Sequence, residues 1–438
     1  MNTKEFAKRR RQLMRMMGKG SIAILPSAMI KTRNRDVEYA FRQESDFYYL
    51  TGFAEPESVA VLVPGREEGE FIVFCRERDA ARELWDGKRA GPDGVIEQVG
   101  ADDAFPISDI DDILPGLIER CERVYYTMGA HPEFDSRLLG WVGDLRAQGG
   151  PGVHVPDEFI AMDHMLHDMR LYKSRAEISA MRRAAKIAVG AHKRAMQACQ
   201  PGMHEYELEA EYLYEFRRNG VQPSYQPIVG SGENGCVLHY IENNRQIEDG
   251  DLILADVGCE NDYYASDITR TFPANGRFSE PQRELYEVVL AAHDAALDCV
   301  APGNSWHEFH DAAVREITRG LKDLGILKGG LATLIRKQAY RPYFMHRTGH
   351  WLGMDVHDVG DYKVSDQWRM LEAGMVLTVE PGIYISERHR RIKKCYRGIG
   401  IRIEDDVLVT RDGCEVLTRQ LPVAADEIEA LMAAGKPR

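Results

Sequence analysis

The sequence predicts an α+β protein of two domains, and three observations carry that prediction. Before residue 172, short apolar runs with strand chemistry (Ser21-Ile22-Ala23-Ile24-Leu25, Ser58-Val59-Ala60-Val61-Leu62-Val63 and Glu70-Phe71-Ile72-Val73-Phe74) are interleaved with helical segments. Directly after Arg170-Leu171-Tyr172-Lys173, Ser174 and Glu177 form a capping box that opens a long helical pattern. Beyond it, helices are grouped with strand-turn-strand segments and do not alternate strictly with single strands, which is α+β organisation. The expected division is therefore 1–172, a mixed α/β domain, and 173–438, an α+β domain.

In chain order, residues 4–17 are basic with Phe6, Leu13 and Met14 interspersed; they lack the apolar core of a signal peptide and read as a surface helix. The helix opened at Ser174 places Ile178, Met181 and Ala185 on one face and runs to about Cys199, ahead of Pro201-Gly202. A second helix spans 206–218 and closes on Asn219-Gly220. Residues 252–257 and 263–271 are strand-like and flank Cys259, Glu260, Asn261 and Asp262. A turn centred on Asn261-Asp262 sets Asp256 directly opposite Asp267, with Cβ atoms about 4.5–5.5 Å apart. A third helix, 281–300, carries Leu285, Val288, Val289, Ala292 and Ala296 on one stripe. Val376-Leu377-Thr378-Val379 runs into Glu380, and Pro381-Gly382 interrupts the ladder. Ile399, Ile401 and Ile403 alternate with Gly400, Arg402 and Glu404, which places Arg402 beside Glu404 on the face away from the isoleucines. The charge run 387–394 between them reads as a solvated loop.

Asp256, Asp267, His350, Glu380 and Glu404 thus all fall at strand ends or tight turns. Four carboxylates and one imidazole so placed repel one another and lose hydration unless a cation holds them. An oxygen-rich set with a single His suits one or two divalent ions of hard or borderline character, not a structural zinc. His350 lies in a Gly-rich stretch with His346 and His357, three His in twelve residues of a chain that has 14, and spacing leaves open which of them touch a metal. Arg402 beside a ligand carboxylate would hold it ionised and aimed.

Hydrophobic content of 44% and charged content of 29% belong to a folded, water-exposed protein. A net charge of −13 argues against a general nucleic-acid binder. No apolar run is long enough for a membrane span. Eight Cys without Cys-x-x-Cys pairs fit reduced thiols and a cytoplasmic location, and Cys236 and Cys259 read as small buried apolar groups near the site.

The runs Asp256-Val257-Gly258, Ser266-Asp267-Ile268-Thr269-Arg270-Thr271, His350-Trp351-Leu352-Gly353, Glu380-Pro381-Gly382 and Arg402-Ile403-Glu404-Asp405 resemble the pita-bread metallopeptidases. Within that group the chain is similar to the aminopeptidase P family, over nearly its full length. Arg42-Gln43-Glu44-Ser45-Asp46-Phe47-Tyr48-Tyr49-Leu50-Thr51-Gly52-Phe53 is similar to that family's N-terminal domain. The resemblance implies a C-terminal pita-bread catalytic domain behind an N-terminal domain for substrate access and oligomerisation. It implies that Asp256 binds one metal, that His350 and Glu380 bind another, and that Asp267 and Glu404 bridge them. His239 matches the substrate-side His, and His346 and His357 match the flanking active-site His residues. The implied reaction is cleavage between an N-terminal residue and a following proline by a water bridging two divalent ions, manganese first in expectation and zinc, cobalt or iron after it. Glu380 is expected to carry the proton to the leaving nitrogen, and His239 or His357 to stabilise the oxyanion. Trp85 matches an aromatic residue that in similar enzymes reaches a neighbouring subunit, which implies a homo-oligomer, a tetramer or a dimer. The implied partners are peptides with proline at the second position, with no nucleic acid and no membrane.

Three readings compete on the same fold. A prolidase would cut only Xaa-Pro dipeptides. A methionine aminopeptidase would usually lack such an N-terminal domain. A metal-free binding protein or creatine-type hydrolase would have lost ligands, whereas all five positions are filled here.

Overall fold

Alternating apolar residues build the first core. In the computed structural model, which describes residues 1–149 and 154–435, Ile22 and Ile24, Val59 and Val61, and Ile72 and Phe74 point to one face of a mixed sheet. That face is covered by Ile110, Leu114 and Ile118 of the helix Ile110–Ile118 and by Leu138, Trp141 and Leu145 of the helix Pro132–Gln148. The sheet order is Asp103–Pro106, Phe71–Cys75, Val59–Leu62, Ser21–Pro26, Arg123–Tyr125 and Glu158–Ile160. The three strands expected from sequence are all present, the central ones antiparallel and the outer ones joined in parallel. The helix Thr3–Met17 buries Phe6, Leu13, Met14 and Met17. Its buried Arg9 and Arg10 donate to the carbonyls of Tyr49 and Leu50, which satisfies the guanidinium groups that the packing removes from water.

The chain divides into two compact units, Met1–Met169 and Arg170–Arg438. The second opens on the expected capping box of Ser174 and Glu177, and its helix Arg175–Ala198 buries Ala180, Met181, Ala184, Ala185 and Ala188, with Ile178 at the margin. It packs on Glu205–Arg218, which ends at Asn219 with Gly220 at φ 73°. A second helix pair, Glu280–Leu297 and Glu308–Asp323, packs likewise. One apolar core joins these helices to two three-stranded sheets, Ile228–Ser231 with Leu252–Asp256 and Thr269–Pro273, and Val376–Val379 with Asp405–Val409 and Cys414–Val416.

The first hairpin corrects the expected register. Its turn centres on Asp262 and Tyr263, both at positive φ (51° and 68°), and not on Asn261-Asp262. Asp256 therefore pairs with Thr269, and Asp267 lies two residues further along. A slip of two residues preserves the face, so the aspartates remain neighbours on a diagonal and not directly opposed. The second ladder holds one register from Val376↔Leu408 through Val379↔Asp405 and on to Gly382↔Arg402 and Ile385↔Ile399. That unbroken register places Glu380 directly across from Glu404, with Pro381 interrupting only the strand assignment. A further stretch runs along the other edge of the same strand: Thr378 N bonds to His350 O at 2.9 Å, Glu380 N to Thr348 O at 2.8 Å, and Trp351 bridges Leu377. His350 is thereby set beside Glu380 on the face that carries the ligand.

Candidate metal centre

Close backbone approach makes the meeting of these ladders specific to glycine. A Cβ on Gly258 would stand 1.8 Å from Ser266 O, and one on Gly349 would stand 2.1 Å from Thr378 O. Each glycine lies beside a ligand position, so the crossing geometry and the ligand geometry are one constraint.

The five side chains singled out in the sequence converge on one cavity of about 750 Å³. Ligand atoms of Asp267, His350 and Glu404 all lie within 4.8 Å of one another. His350 Nε2 is 3.3 Å from Asp267 Oδ2 and 3.7 Å from Glu380 Oε1. His350 Nδ1 faces the Trp351 carbonyl at 2.9 Å, which assigns the ring proton to Nδ1 and leaves Nε2 as a ligand atom. Asp256 joins through Tyr225, whose hydroxyl is 2.5 Å from Asp256 Oδ1 and 2.6 Å from Asp267 Oδ1. The flanking histidines are present too. The His357 ring stands 4.4 Å from that of His350, His346 Nδ1 is 3.6 Å from Glu380 Oε2, and His239 lines the same cavity from its exposed side.

The electrostatics call for a cation. Burial raises Asp256 to about 6 and Glu380 to about 7, and it raises Glu404 well above the usual range with added repulsion from Asp267 and Glu380. Burial also pushes Asp267 up, but its contact with His350 more than reverses the effect and leaves it below its ordinary value. His350 goes to about 9, held there against burial by Asp267 and Glu380. Glu380 and Glu404 hold protons near neutral pH, and His350 is an imidazolium there, so the cluster carries protons in the place of positive charge that a divalent ion would supply.

Arg402 does more than its sequence position indicates. It is buried and 3.9 Å from Glu404, while its short bonds run to Asp256 Oδ2 at 2.5 Å, Tyr384 OH at 3.0 Å and Thr269 Oγ1 at 3.0 Å. Thr269 Oγ1 in turn donates to Glu404 Oε2 at 2.6 Å, so Arg402 reaches Glu404 through a hydroxyl. Behind this layer Arg270 Nη1 donates to Glu404 O at 2.6 Å and Nη2 to Asp405 Oδ1 at 2.7 Å, and Asp406 accepts from the backbone N of Asp267 at 3.1 Å. Sequence reading missed Tyr225, Thr269 and Tyr384. Tyr225 sits in Pro223-Ser224-Tyr225-Gln226-Pro227, outside any periodic element, and nothing local marks it as a partner of two aspartates. Cys259 is buried as expected, and its thiol contacts the Ala184 carbonyl.

Residues 179–411 match the Metallopeptidase family M24, and residues 6–125 match the aminopeptidase P N-terminal domain. The chain is 46% identical to the Xaa-Pro aminopeptidase of Escherichia coli over 100% of its own length and 99% of the relative's. It is 44% identical to that of Haemophilus influenzae over 98% and 97%. Its fold is similar to the solved aminopeptidase PepP of Pseudomonas aeruginosa, with a TM-score of 0.98 at 60% identity over 99% of both chains. It is equally similar to zinc-substituted Escherichia coli aminopeptidase P in complex with product, with a TM-score of 0.97 at 46% identity over 100% of both. The second unit therefore has the pita-bread fold that the motifs implied. With its ligand cluster, its two matched domains and relatives aligned end to end, this chain belongs to the Metallopeptidase family M24, in its aminopeptidase P branch.

Proposed function

We propose that this chain is an Xaa-Pro aminopeptidase that holds two divalent ions. The observation that carries the reading is the convergence of Asp256, Asp267, His350, Glu380 and Glu404 on one cavity, in a chain aligned end to end with relatives of that name. In this reading Asp256 would hold one ion, His350 and Glu380 the other, and Asp267 and Glu404 would serve both. Divalent ions, when bound, polarise the peptide carbonyl and acidify a coordinated water. Glu380 would take a proton from the attacking water and hand it to the proline nitrogen, a role its place beside His346 allows. His239 or His357 would stabilise the developing charge on the carbonyl, and His346 would position Glu380. Arg402 holds Asp256 ionised and aimed.

Manganese is the ion we assign first, with zinc, cobalt and iron as substitutes. The N-terminal segment up to residue 172 governs substrate access and assembly into a homo-oligomer, to which the exposed Trp85 contributes. No helix among the described residues is long and apolar enough to cross a membrane, and the eight cysteines without Cys-x-x-Cys pairs support a cytoplasmic enzyme.

The test is hydrolysis of matched Xaa-Pro-Xaa and Xaa-Ala-Xaa peptides by metal-stripped protein, before and after Mn²⁺ is added. Metal-dependent release of the first residue from the proline peptide alone is the expected result. Cleavage of Xaa-Pro dipeptides only would replace this reading with a prolidase.

A further inference from the structure

The wall of the cavity away from the carboxylates is cationic and aromatic. Lys363 and Trp368 are a directly paired cross-strand couple in the hairpin Lys363–Val364 with Gln367–Trp368, so their side chains share a face. Lys363 Nζ lies 4.5 Å from the indole centroid, and Arg347 Cζ lies 5.4 Å from the same ring. All three residues line the cavity that holds the metal ligands. His307 stacks on Trp368 at 4.9 Å with an interplanar angle of 2°, which fixes the ring. Arg347 follows His346, 3.6 Å from Glu380, and precedes Thr348, whose carbonyl accepts from Glu380 N. No carboxylate among the described residues pairs with Arg347 or Lys363. Two unpaired like charges around one ring repel each other, and an anion between them relieves the repulsion.

We infer that Arg347, Lys363 and Trp368 form a carboxylate subsite that reads the peptide beyond the scissile bond. The inference rests on the peptidase reading above. The one cavity brings the carboxylates and these two cations together. An extended peptide advances about 3.3–3.6 Å per residue. With the scissile bond at the carboxylates, we place the third or fourth residue against the cations of the same cavity. The group recognised is a carboxylate, from either the chain end of a tripeptide or a Glu or Asp side chain at that depth. The indole packs against the residue that bears it.

The experiment uses metal-loaded full-length protein and two kinds of readout. Calorimetry compares binding of the dipeptide Pro-Ala with that of its amide. Kinetics compare Ala-Pro-Ala with its amide, and Ala-Pro-Glu-Ala amide with Ala-Pro-Gln-Ala amide. Partly exposed charge pairs lead us to expect a preference for the carboxylate form of about three- to tenfold, carried by Kd and KM and weakened by added salt. In the double variant Arg347→Gln, Lys363→Gln the ratio falls to about one. Preference in the chain-end pair alone assigns the carboxylate to the terminus, and preference in the Glu/Gln pair assigns it to the side chain. Equal behaviour of both members in every carboxylate/amide pair with the unmodified protein, or a preference that survives the double substitution, overturns the subsite. If no Xaa-Pro peptide is cut but Pro-Ala still binds better than its amide, the peptidase reading fails and the subsite stands.

Discussion

In the hairpin that carries Asp256 and Asp267, the two carboxylates sit on a diagonal and are served by strong protein partners: Arg402 on one, His350 on the other and Tyr225 between them. In the ladder that carries Glu380 and Glu404, the carboxylates face each other directly. Their nearest hydroxyl donors are weaker or uneven: Thr269 at 2.6 Å from Glu404, and Thr378 at 3.5 Å from Glu380. The difference shows in their acidities. Asp267 stays below its ordinary value and Asp256 rises only to about 6, whereas Glu380 reaches about 7 and Glu404 goes well beyond the usual range. The aspartate pair is largely compensated by protein charge, and the glutamate pair relies on a bound cation. A site built this way has one rigid carboxylate pair and one that is free to exchange a proton.

The largest effect that separates the two pairs is on turnover. Glu380→Gln keeps an oxygen donor and the shape but removes proton transfer, so steady-state kinetics should show a loss of about 10²–10⁴-fold in kcat while the metal content measured by elemental analysis stays close to normal. Near-normal turnover would move the proton carrier elsewhere in the cavity.

Next in size is the pH dependence of metal binding. Groups raised to about 6 and about 7 hold protons that an ion must displace. Metal affinity should therefore rise as pH increases through this range and fall below it, by up to about tenfold per pH unit for each proton released. Calorimetric titration with Mn²⁺ in buffers of differing ionisation enthalpy measures that release directly. Uptake without proton release between pH 6 and 7 would contradict the raised pKa values.

The convergence of the five candidate ligands on one cavity was legible in the sequence because the four carboxylates fall in or at the ends of strand-like runs and His350 in a Gly-rich stretch, and four carboxylates in such places have few uses other than holding cations. The boundaries of the main helices were legible from Ser174 with Glu177 and from Asn219-Gly220, where the chemistry is local. Register was not. Asn261-Asp262 looked the better turn, yet Asp262 and Tyr263 take the positive-φ positions, and only the packed sheet selects that choice. Arg402 was legible as an aid to Glu404, but its principal partner Asp256 lies across the sheet junction, which sequence spacing does not report. Tyr225 gave no signal at all, since its role depends on two aspartates 31 and 42 residues away.

Tyr225 tests whether the aspartate pair owes its lower pKa values to the phenol. A phenol has one proton, so it donates to one aspartate at a time. Tyr225→Phe removes that donor and leaves two buried carboxylates facing an apolar edge. Metal affinity should fall by about 10–100-fold, with a smaller change in kcat once metal is saturating. Equal loss of kcat at saturating metal would instead place the phenol in contact with the reacting groups.

The two threonines provide the finest comparison, because they hold equivalent places in the two ladders. Thr269 pairs across from Asp256 and donates to Glu404 at 2.6 Å; Thr378 pairs across from His350, accepts from its backbone N at 3.2 Å, and reaches Glu380 only at 3.5 Å. Valine preserves the branched shape and deletes the hydroxyl in either case. Thr269→Val leaves a buried carboxylate oxygen without its donor and interrupts the path from Arg402, which should cost about 1–3 kcal/mol of stability in the metal-free protein. Thr378→Val loses two longer bonds, the 3.5 Å contact with Glu380 and the 3.2 Å acceptor of His350 N, and should cost about 0.5–1 kcal/mol. The gap should narrow when metal is bound, because the ion then takes over the charge on Glu404. Denaturant melts of both variants, with and without Mn²⁺, measure it. Equal costs in the metal-free state would mean that the opposed glutamates do not depend on Thr269, and that the contrast between the two ladders lies in their geometry alone.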